Sequence, residues 1–208
     1  MNTVRNKVGC PWVFRSDHGT ENSVVGQLQQ FLRRANQDPV ASFVQGTSQH
    51  NQRIECWWSM LRRHCTQYWM ELFSQLKEDA RFDGGLLDKS LVQFCFLNLI
   101  QDEFNTVLRE WNAHCIAPSR NRDGPFGRPV VMYTSPELYG GQQFIVPLQR
   151  DEIEICETEC IFKSQYTCDK DVFNLCSILM RERQLSQPNN PEESLYLYVL
   201  RIAITELL

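Results

Sequence analysis

The sequence predicts an α/β fold with few strands, long helices and a mainly helical C-terminal region. Two short segments near the N-terminus are aromatic and β-branched, as strands are, and a stretch with helical spacing of apolar residues lies between them. Two long stretches follow in which apolar residues recur at helical spacing, and two further stretches of this kind lie near the C-terminus. The order strand, helix, strand, helix is typical of α/β proteins.

The first strand is predicted at residues 11–15, and because a polar turn follows, we expect it to end at Asp17. Apolar residues at helical spacing then predict a helix over residues 21–35, with Thr20 or Asn22 as its N-cap. A second short strand is predicted at residues 41–45.

The strongest helical pattern begins at Ile54 and continues to Leu76. We expect the aromatic residues within 57–73 to pack in the core rather than to stack on nucleic-acid bases. A turn with Gly84 and Gly85 separates this helix from a second one, after which residues 118–129 form a loop rich in proline, glycine and arginine. Further helices are predicted at residues 169–183 and 192–207.

Composition narrows the class of protein. The chain has 208 residues, of which 42% are hydrophobic and 22% charged, so it can build a core. No signal-peptide pattern begins the chain, and no apolar run reaches the roughly 18 residues of a membrane span. We therefore expect a soluble, non-secreted protein of the nucleus or cytoplasm without a membrane partner, whose nine cysteines are reduced.

Charge is distributed unevenly along the chain. Residues 1–150 hold 16 basic and 14 acidic residues, whereas residues 151–208 hold 5 and 11. We predict two domains, residues 1–140 and an acidic, mainly helical annex at 141–208. Nucleic-acid contact is expected in the first domain, and a protein partner is one possible role of the annex.

Two short segments carry candidate chemistry. Asp17 ends the first predicted strand, and a glycine turn and a helix start follow it. Glu55 opens the long helix in an Asn-x-x-x-Glu pattern that starts at Asn51. Between the two carboxylates lie 37 residues.

These segments resemble the second and third elements of the DDE-type integrase core domain, found in retroviral integrases and insertion-sequence transposases. Trp111-Asn112, followed by Arg128-Pro129, is similar to the end of many such domains. The resemblance implies a partial RNase H-like core that acts on DNA, with possible homo-oligomers. It also implies that Asp17 and Glu55 are catalytic and bind Mg²⁺ or Mn²⁺, since two ions roughly 3.5–4 Å apart stabilise the attacking and leaving oxygens of phosphodiester strand transfer.

The helix of Glu55 has a polar face predicted to bind nucleic acid. Residues three or four apart share a helix face, here opposite Trp58 and Leu61, and arginines there or at its sides can contact phosphates. A solvated helix face is the alternative interpretation of the arginines. The predicted nucleic-acid-binding residues are Asn51, Gln52, Arg53, Ser59, Arg62 and Arg63.

The resemblance also implies a first aspartate on an earlier strand, but residues 1–16 contain no acidic residue. Asp102 and Glu103 lie on a later long helix, and their spacing does not direct them to the site. We therefore expect the chain as written to be an N-terminally truncated core that is inactive by itself. Three interpretations stay open: a recombinase core completed by an upstream part, a domesticated module that binds nucleic acid or protein without catalysis, and a fragment without a selected role.

The last four cysteines are the remaining candidate metal ligands. Their first pair has the close spacing of zinc sites and the second pair does not, so we favour buried thiols over zinc. Nothing in the spacing excludes a metal. The residues are Cys156, Cys160, Cys168 and Cys176.

Overall fold

A computed structural model describes residues 2–19, 22–35, 38, 40–46, 52–118, 120, 126–162 and 164–199. The chain forms two compact units. Unit 1 comprises Met1–Trp58 and Cys115–Phe162, and unit 2 comprises Ser59–His114 and Lys163–Leu208. The division into domains at residue 140 stays a prediction.

Unit 1 mixes short strands with helices. Helix α3 (Gln52–Leu61) continues past Trp58, where the division between the units falls. Its elements are α1 (Asn2–Lys7), β1 (Gly9–Pro11), β2 (Phe14–Ser16), α2 (Ser23–Leu32), a 3₁₀ turn (Val40–Ser42), β3 (Phe43–Gln45), α3 (Gln52–Leu61), α6 (Pro129–Thr134), a second 3₁₀ turn (Pro136–Tyr139), β4 (Ile145–Pro147) and α7 (Arg150–Thr158).

The described secondary structure of unit 2 consists of helices joined by turns and irregular segments. The helix that begins as α3 passes through a π-helical turn and continues as α4. Its elements after α3 are the π turn (Arg62–Thr66), α4 (Gln67–Glu78), α5 (Leu86–Ala113), α8 (Lys170–Glu182) and α9 (Pro191–Val199).

Four strands lie in the part of the chain that the structure describes, and they form two small sheets. β1 pairs antiparallel with β4, so that Gly9 lies opposite Pro147. A Cβ added at Gly9 would lie 2.5 Å from Ile145 Cγ2 and 2.9 Å from the Val146 carbonyl oxygen, so this close pairing requires a glycine. β2 pairs in parallel with β3, with Ser16 opposite Gln45, and α2 forms the crossover between them.

The core of unit 1 surrounds Cys10. This side chain is fully buried, and residues of α2, α7 and the β4 segment pack around it. Gln29 of α2 donates from Nε2 to the Pro11 carbonyl at 2.8 Å, which ties the helix to β1. The buried members of the cluster are Cys10, Leu32, Leu148, Ile153 and Cys156.

Aromatic rings dominate the core of unit 2. Phe96 of α5 is fully buried and packs against Trp69 and Phe73 of α4 and against Tyr198 of α9. Two buried hydroxyl groups hold α9 in place: the Ser194 hydroxyl donates to the Cys95 carbonyl, and the Tyr198 hydroxyl donates to that of Arg81, each at 2.8 Å.

The mixed architecture agrees with the α/β prediction, although the strands are shorter than expected. Helix α8 confirms the prediction at residues 169–183, since Asp169 caps it by accepting from the backbone N–H groups of Asp171 and Val172. Helix α7 was not predicted. Over the described residues, no helix combines the length and the apolar character needed to cross a bilayer.

Candidate functional site

Asp17 follows directly after β2, as the sequence predicts, and its side chain is exposed. Asn22 donates from Nδ2 to Asp17 Oδ1 at 2.8 Å. Asn22 occupies the N-cap position of α2, as one of the two alternatives predicted, but its side chain makes no cap hydrogen bond. Its amide orients the carboxylate instead, while the other proposed cap, Thr20, lies outside the described residues.

The parallel pairing of β2 and β3 determines which edge of the sheet Asp17 occupies. Because the strands run in the same direction, their carboxyl ends lie at the same edge. The Gly46 N–H donates to the Ser16 carbonyl at 3.0 Å, which extends the pairing to the residue that precedes Asp17. Helix α3 is the next element after β3, and residues 47–51 between them are outside the described part of the chain.

Glu55 lies in the first turn of α3, and its side chain is exposed. Partial positive charge at a helix N-terminus favours a carboxylate at this position. Neither Glu55 nor Asp17 points into an apolar interior, so both remain open to a hydrated cation. Among the described residues, no group of three or more histidine, cysteine, aspartate or glutamate side chains is arranged to hold a metal ion.

The predicted nucleic-acid-binding residues fall into two sets. Asn51 and the side chains of Gln52 and Arg53 lie outside the described part of the structure. Ser59, Arg62 and Arg63 are exposed, and the two arginines belong to the π turn rather than to the α-helix.

Arg62 has a defined partner on its own helix. Its Nε donates to Gln67 Oε1 at 3.1 Å, and Gln67 Nε2 donates in turn to Glu71 Oε1 at 2.7 Å. These bonds align the Arg62 side chain along the exposed surface of the helix.

The expectation that all aromatic residues of 57–73 are core residues is wrong in part. Trp69 is buried, but Trp58 is 54% exposed and Tyr68 is 50% exposed. The π turn explains the difference, because its i→i+5 hydrogen bonding adds a residue to one helical turn. One extra residue rotates all later positions by about 100° relative to the earlier ones, so a single α-helical stripe cannot continue through it.

The two acidic residues excluded from the site in the sequence analysis belong to unit 2. Glu103 accepts a hydrogen bond from Trp69 Nε1 at 2.5 Å, and Asp102 and Glu103 both line an open cavity of about 650 Å³. Glu103 is therefore engaged in the packing of α4 against α5.

The late cysteines are divided between the units. Cys156 is buried beside Cys10 in the unit 1 core, and Cys160 follows the end of α7. Cys168 precedes α8, and Cys176 is buried in that helix. Burial raises the pKa of Cys176 to about 11, as expected of a packed thiol.

Comparison with known families identifies an integrase-type domain. The family model described as "Integrase core domain" matches residues 1–135, which include Asp17, Glu55 and the Trp111-Asn112 segment. A search of curated proteins and a search of solved structures each returned no match. Integrase core domains generally depend on divalent metal ions, bind DNA and form oligomers.

Proposed function

Because the chain belongs to the integrase core domain family, we propose that it acts in DNA integration or transposition through a site that contains Asp17 and Glu55. The observation that carries the proposal is the order of elements around the two carboxylates. Asp17 ends a strand, a helix crosses over to a parallel strand, and Glu55 begins the helix that follows.

The two carboxylates suit a hard divalent cation. Mg²⁺ and Mn²⁺ prefer carboxylate oxygens and retain several waters, which exposed side chains permit. When bound, such ions activate the attacking hydroxyl group and stabilise the leaving oxygen at phosphorus. Asn22 keeps one oxygen of Asp17 in a fixed orientation, and Glu55 lies exposed in the first turn of α3.

We propose that Arg62 and Arg63, with Ser59, contact the DNA backbone, and substitutions that remove the arginine charges test this. Arginine neutralises phosphate, and each such contact releases counterions, so binding should weaken as salt is raised. The same role is proposed for Asn51, Gln52 and Arg53. Action on DNA favours a nuclear location, and oligomers are expected from the family.

The family resemblance assigns three carboxylates to the reaction, of which two have counterparts here. We propose that this pair alone holds the metals weakly and that strand transfer by this chain is slight or absent without a third carboxylate. Metal binding, which needs fewer ligands than the complete reaction, is therefore the first property to test.

The test measures Mn²⁺ binding to the chain by NMR. A paramagnetic ion shared by the two carboxylates should broaden the amide resonances around Asp17 and Glu55 together, and Glu55→Gln should weaken binding roughly tenfold, the loss of about 1.4 kcal/mol. Glu110→Gln, a change of the same type at an exposed position of α5, is the control and should leave binding unchanged. Broadening at only one of the two carboxylates, or equal binding by both variants, would refute the shared site.

DNA nicking and strand joining are assayed with the same variants. If activity is present, it should require Mg²⁺ or Mn²⁺ and be lost in Glu55→Gln. Full activity in that variant would exclude the catalytic role of Glu55. DNA binding with a steep salt dependence and no cleavage would favour the domesticated, non-catalytic module.

A further inference from the structure

Two features of unit 2 have no part in the proposed function: the exposed ring of Tyr68, and the acidic pair of Asp102 and Glu103. All three residues line the cavity of about 650 Å³, whose lining belongs to unit 2 alone. The volume lies within the range of small-ligand sites, so the groups in its walls indicate what it can bind.

Tyr68 and Trp69, consecutive residues of α4, form the aromatic wall of the cavity. Their rings meet edge to face, with centroids 5.2 Å apart and an interplanar angle of 78°. Trp69 is 5% exposed, whereas Tyr68 is 50% exposed, so the Tyr68 ring offers surface to a ligand. The face of such a ring attracts cations that lie within about 6 Å of its centre.

The charged residues of the lining are acidic. Among the described residues that line the cavity, Asp102 and Glu103 are acidic and none is basic. Glu103 already accepts a hydrogen bond from Trp69 Nε1. The Asp102 carbonyl accepts from the Thr106 hydroxyl at 3.0 Å, but the Asp102 carboxylate bonds to no residue that the structure describes. An exposed carboxylate without a partner favours a cation in this space.

Arg109 and the N-terminal end of α9 bring positive charge close to the cavity. Arg109 does not line it and donates from Nη2 to the Thr106 hydroxyl at 3.0 Å. The first turn of α9 contains Glu192 and Glu193, which offset the partial charge of the helix end. Glu193 also accepts from the N–H of Asn189, a lining residue, at 2.9 Å. The surroundings of the cavity therefore stay negative.

We propose that this cavity binds a guanidinium group on an alkyl chain, such as the side chain of arginine. The planar cation stacks on the Tyr68 ring and donates two parallel hydrogen bonds to the Asp102 carboxylate. A guanidinium group is more weakly hydrated than an ammonium group and matches a carboxylate in shape, so it suits a site that remains half open to water.

The rest of the lining suits the alkyl chain and the remaining donors. Leu99 and Pro188 supply apolar surface for the methylene groups. Asn98 and Gln187 are exposed, and their amide oxygens can accept from the guanidinium N–H groups that Asp102 leaves free. Gln187 and Pro188 lie beyond the residues that the family model matches, and the inference does not depend on the proposed function.

The experiment is an NMR titration of the full chain with N-acetyl-arginine methylamide. We expect saturable shifts of the Trp69 indole N–H and of the Asp102 amide resonance. N-acetyl-citrulline methylamide has the same shape without the charge and should cause no saturable shift. Equal binding of the two compounds, or shifts that miss both resonances, would overturn the proposal.

Two substitutions test the residues that hold the cation. Asp102→Asn and Tyr68→Leu should each weaken binding about threefold or more, because ion pairs and cation–π contacts at exposed sites contribute modestly. Wild-type affinity in both variants would overturn the assignment. Circular dichroism checks that each variant is folded, and the comparison of arginine with citrulline needs only the wild type.

Each substitution has a matched control in unit 2. Glu110→Gln removes another exposed carboxylate of α5, and Tyr196→Leu removes a ring of α9 that is 63% exposed. Neither residue lines the cavity. Both controls should bind the capped arginine as the wild type does, and losses equal to those of Asp102→Asn and Tyr68→Leu would overturn the site.

Two further ligands test the preference for guanidinium and its source. N-acetyl-lysine methylamide should bind more weakly than the arginine compound, and equal binding would overturn the preference for a guanidinium group. Methylguanidinium that binds as tightly as the capped arginine would support a site for free guanidinium compounds. Tighter binding of the capped arginine would support a site for an arginine side chain of a partner protein.

Discussion

The core of unit 1 is small and gathered around Cys10, whereas unit 2 packs Trp69, Phe96 and Tyr198 against one another. In unit 1 much aromatic surface stays exposed, including Trp12, Phe14 and Phe144. Buried hydroxyl groups reinforce the aromatic core of unit 2. The two units therefore differ in composition: unit 1 carries both candidate carboxylates, Asp17 and Glu55, and unit 2 has the more extensive aromatic core.

The substitution with the largest expected loss of folding free energy tests whether the two units are stabilised separately. Phe96→Ala removes a fully buried ring from unit 2 and should cost about 3–5 kcal/mol of folding free energy. Hydrogen exchange measured by mass spectrometry should then show lost protection in α4, α5 and α9 and unchanged protection in β1, α2 and α7. Leu148→Ala, in the unit 1 core, should give the opposite pattern. Equal loss in both units from either variant would show that they unfold as one.

An intermediate effect is expected where β1 approaches β4. Gly9→Ala places a methyl group 2.5 Å from Ile145 Cγ2, and relief of such overpacking typically costs about 1–3 kcal/mol. Gly46→Ala is the control, because its nearest neighbour would be the Arg15 side chain at 3.5 Å, an ordinary contact. Urea denaturation should show a clear loss for Gly9→Ala and little change for Gly46→Ala. Equal midpoints would contradict the close approach of β1 and β4.

The smallest effect concerns the hydroxyl group of Tyr198. Tyr198→Phe removes its hydrogen bond to the Arg81 carbonyl and should cost about 1 kcal/mol at pH 8. Burial raises the pKa of Tyr198 to about 12 from its ordinary value of 10.0. Below pH 10 the phenol is protonated in the folded and the unfolded chain, and its burial contributes fully to the free energy of unfolding. As the pH rises from 10 toward 12 the unfolded chain loses this proton first, so the free energy of unfolding of the wild type falls.

The variant has no phenol to ionise, so its deficit relative to the wild type should shrink as the pH is raised. Urea denaturation at pH 8 and pH 11 measures this difference. A deficit that grows with pH would contradict the raised pKa.

Local patterns predicted much of the helical structure. The apolar spacing located α5, and Asp169 marked the start of α8 with a cap that the structure contains. The polar residues after β2 correctly predicted that Asp17 lies at the end of a strand, because strand ends and turns depend on neighbouring residues.

The features that the sequence did not predict depend on contacts between distant parts of the chain, or on local patterns that neighbouring residues obscure. The three-residue strands β1 and β4 are too short to show a period, and their pairing joins distant parts of the chain. Helix α7 is rich in acidic residues, which obscured the apolar spacing of Ile153 and Cys156. Its capping box of Gln149 and Glu152 was a usable signal. For the candidate site, the family resemblance predicted Asp17 and Glu55, and their role stays a prediction. No local pattern indicated that the Asn22 side chain bonds to Asp17.

The pairing of β1 with β4 has a consequence for synthesis of the protein. Gly9 is translated before its partner Pro147, which follows 138 positions later. Contacts so distant in sequence form slowly, while helices α4 and α5 can associate as soon as both have left the ribosome. The nascent chain therefore exposes the apolar surface around Cys10 until β4 and α7 emerge, and chaperones that bind apolar segments would act during this interval.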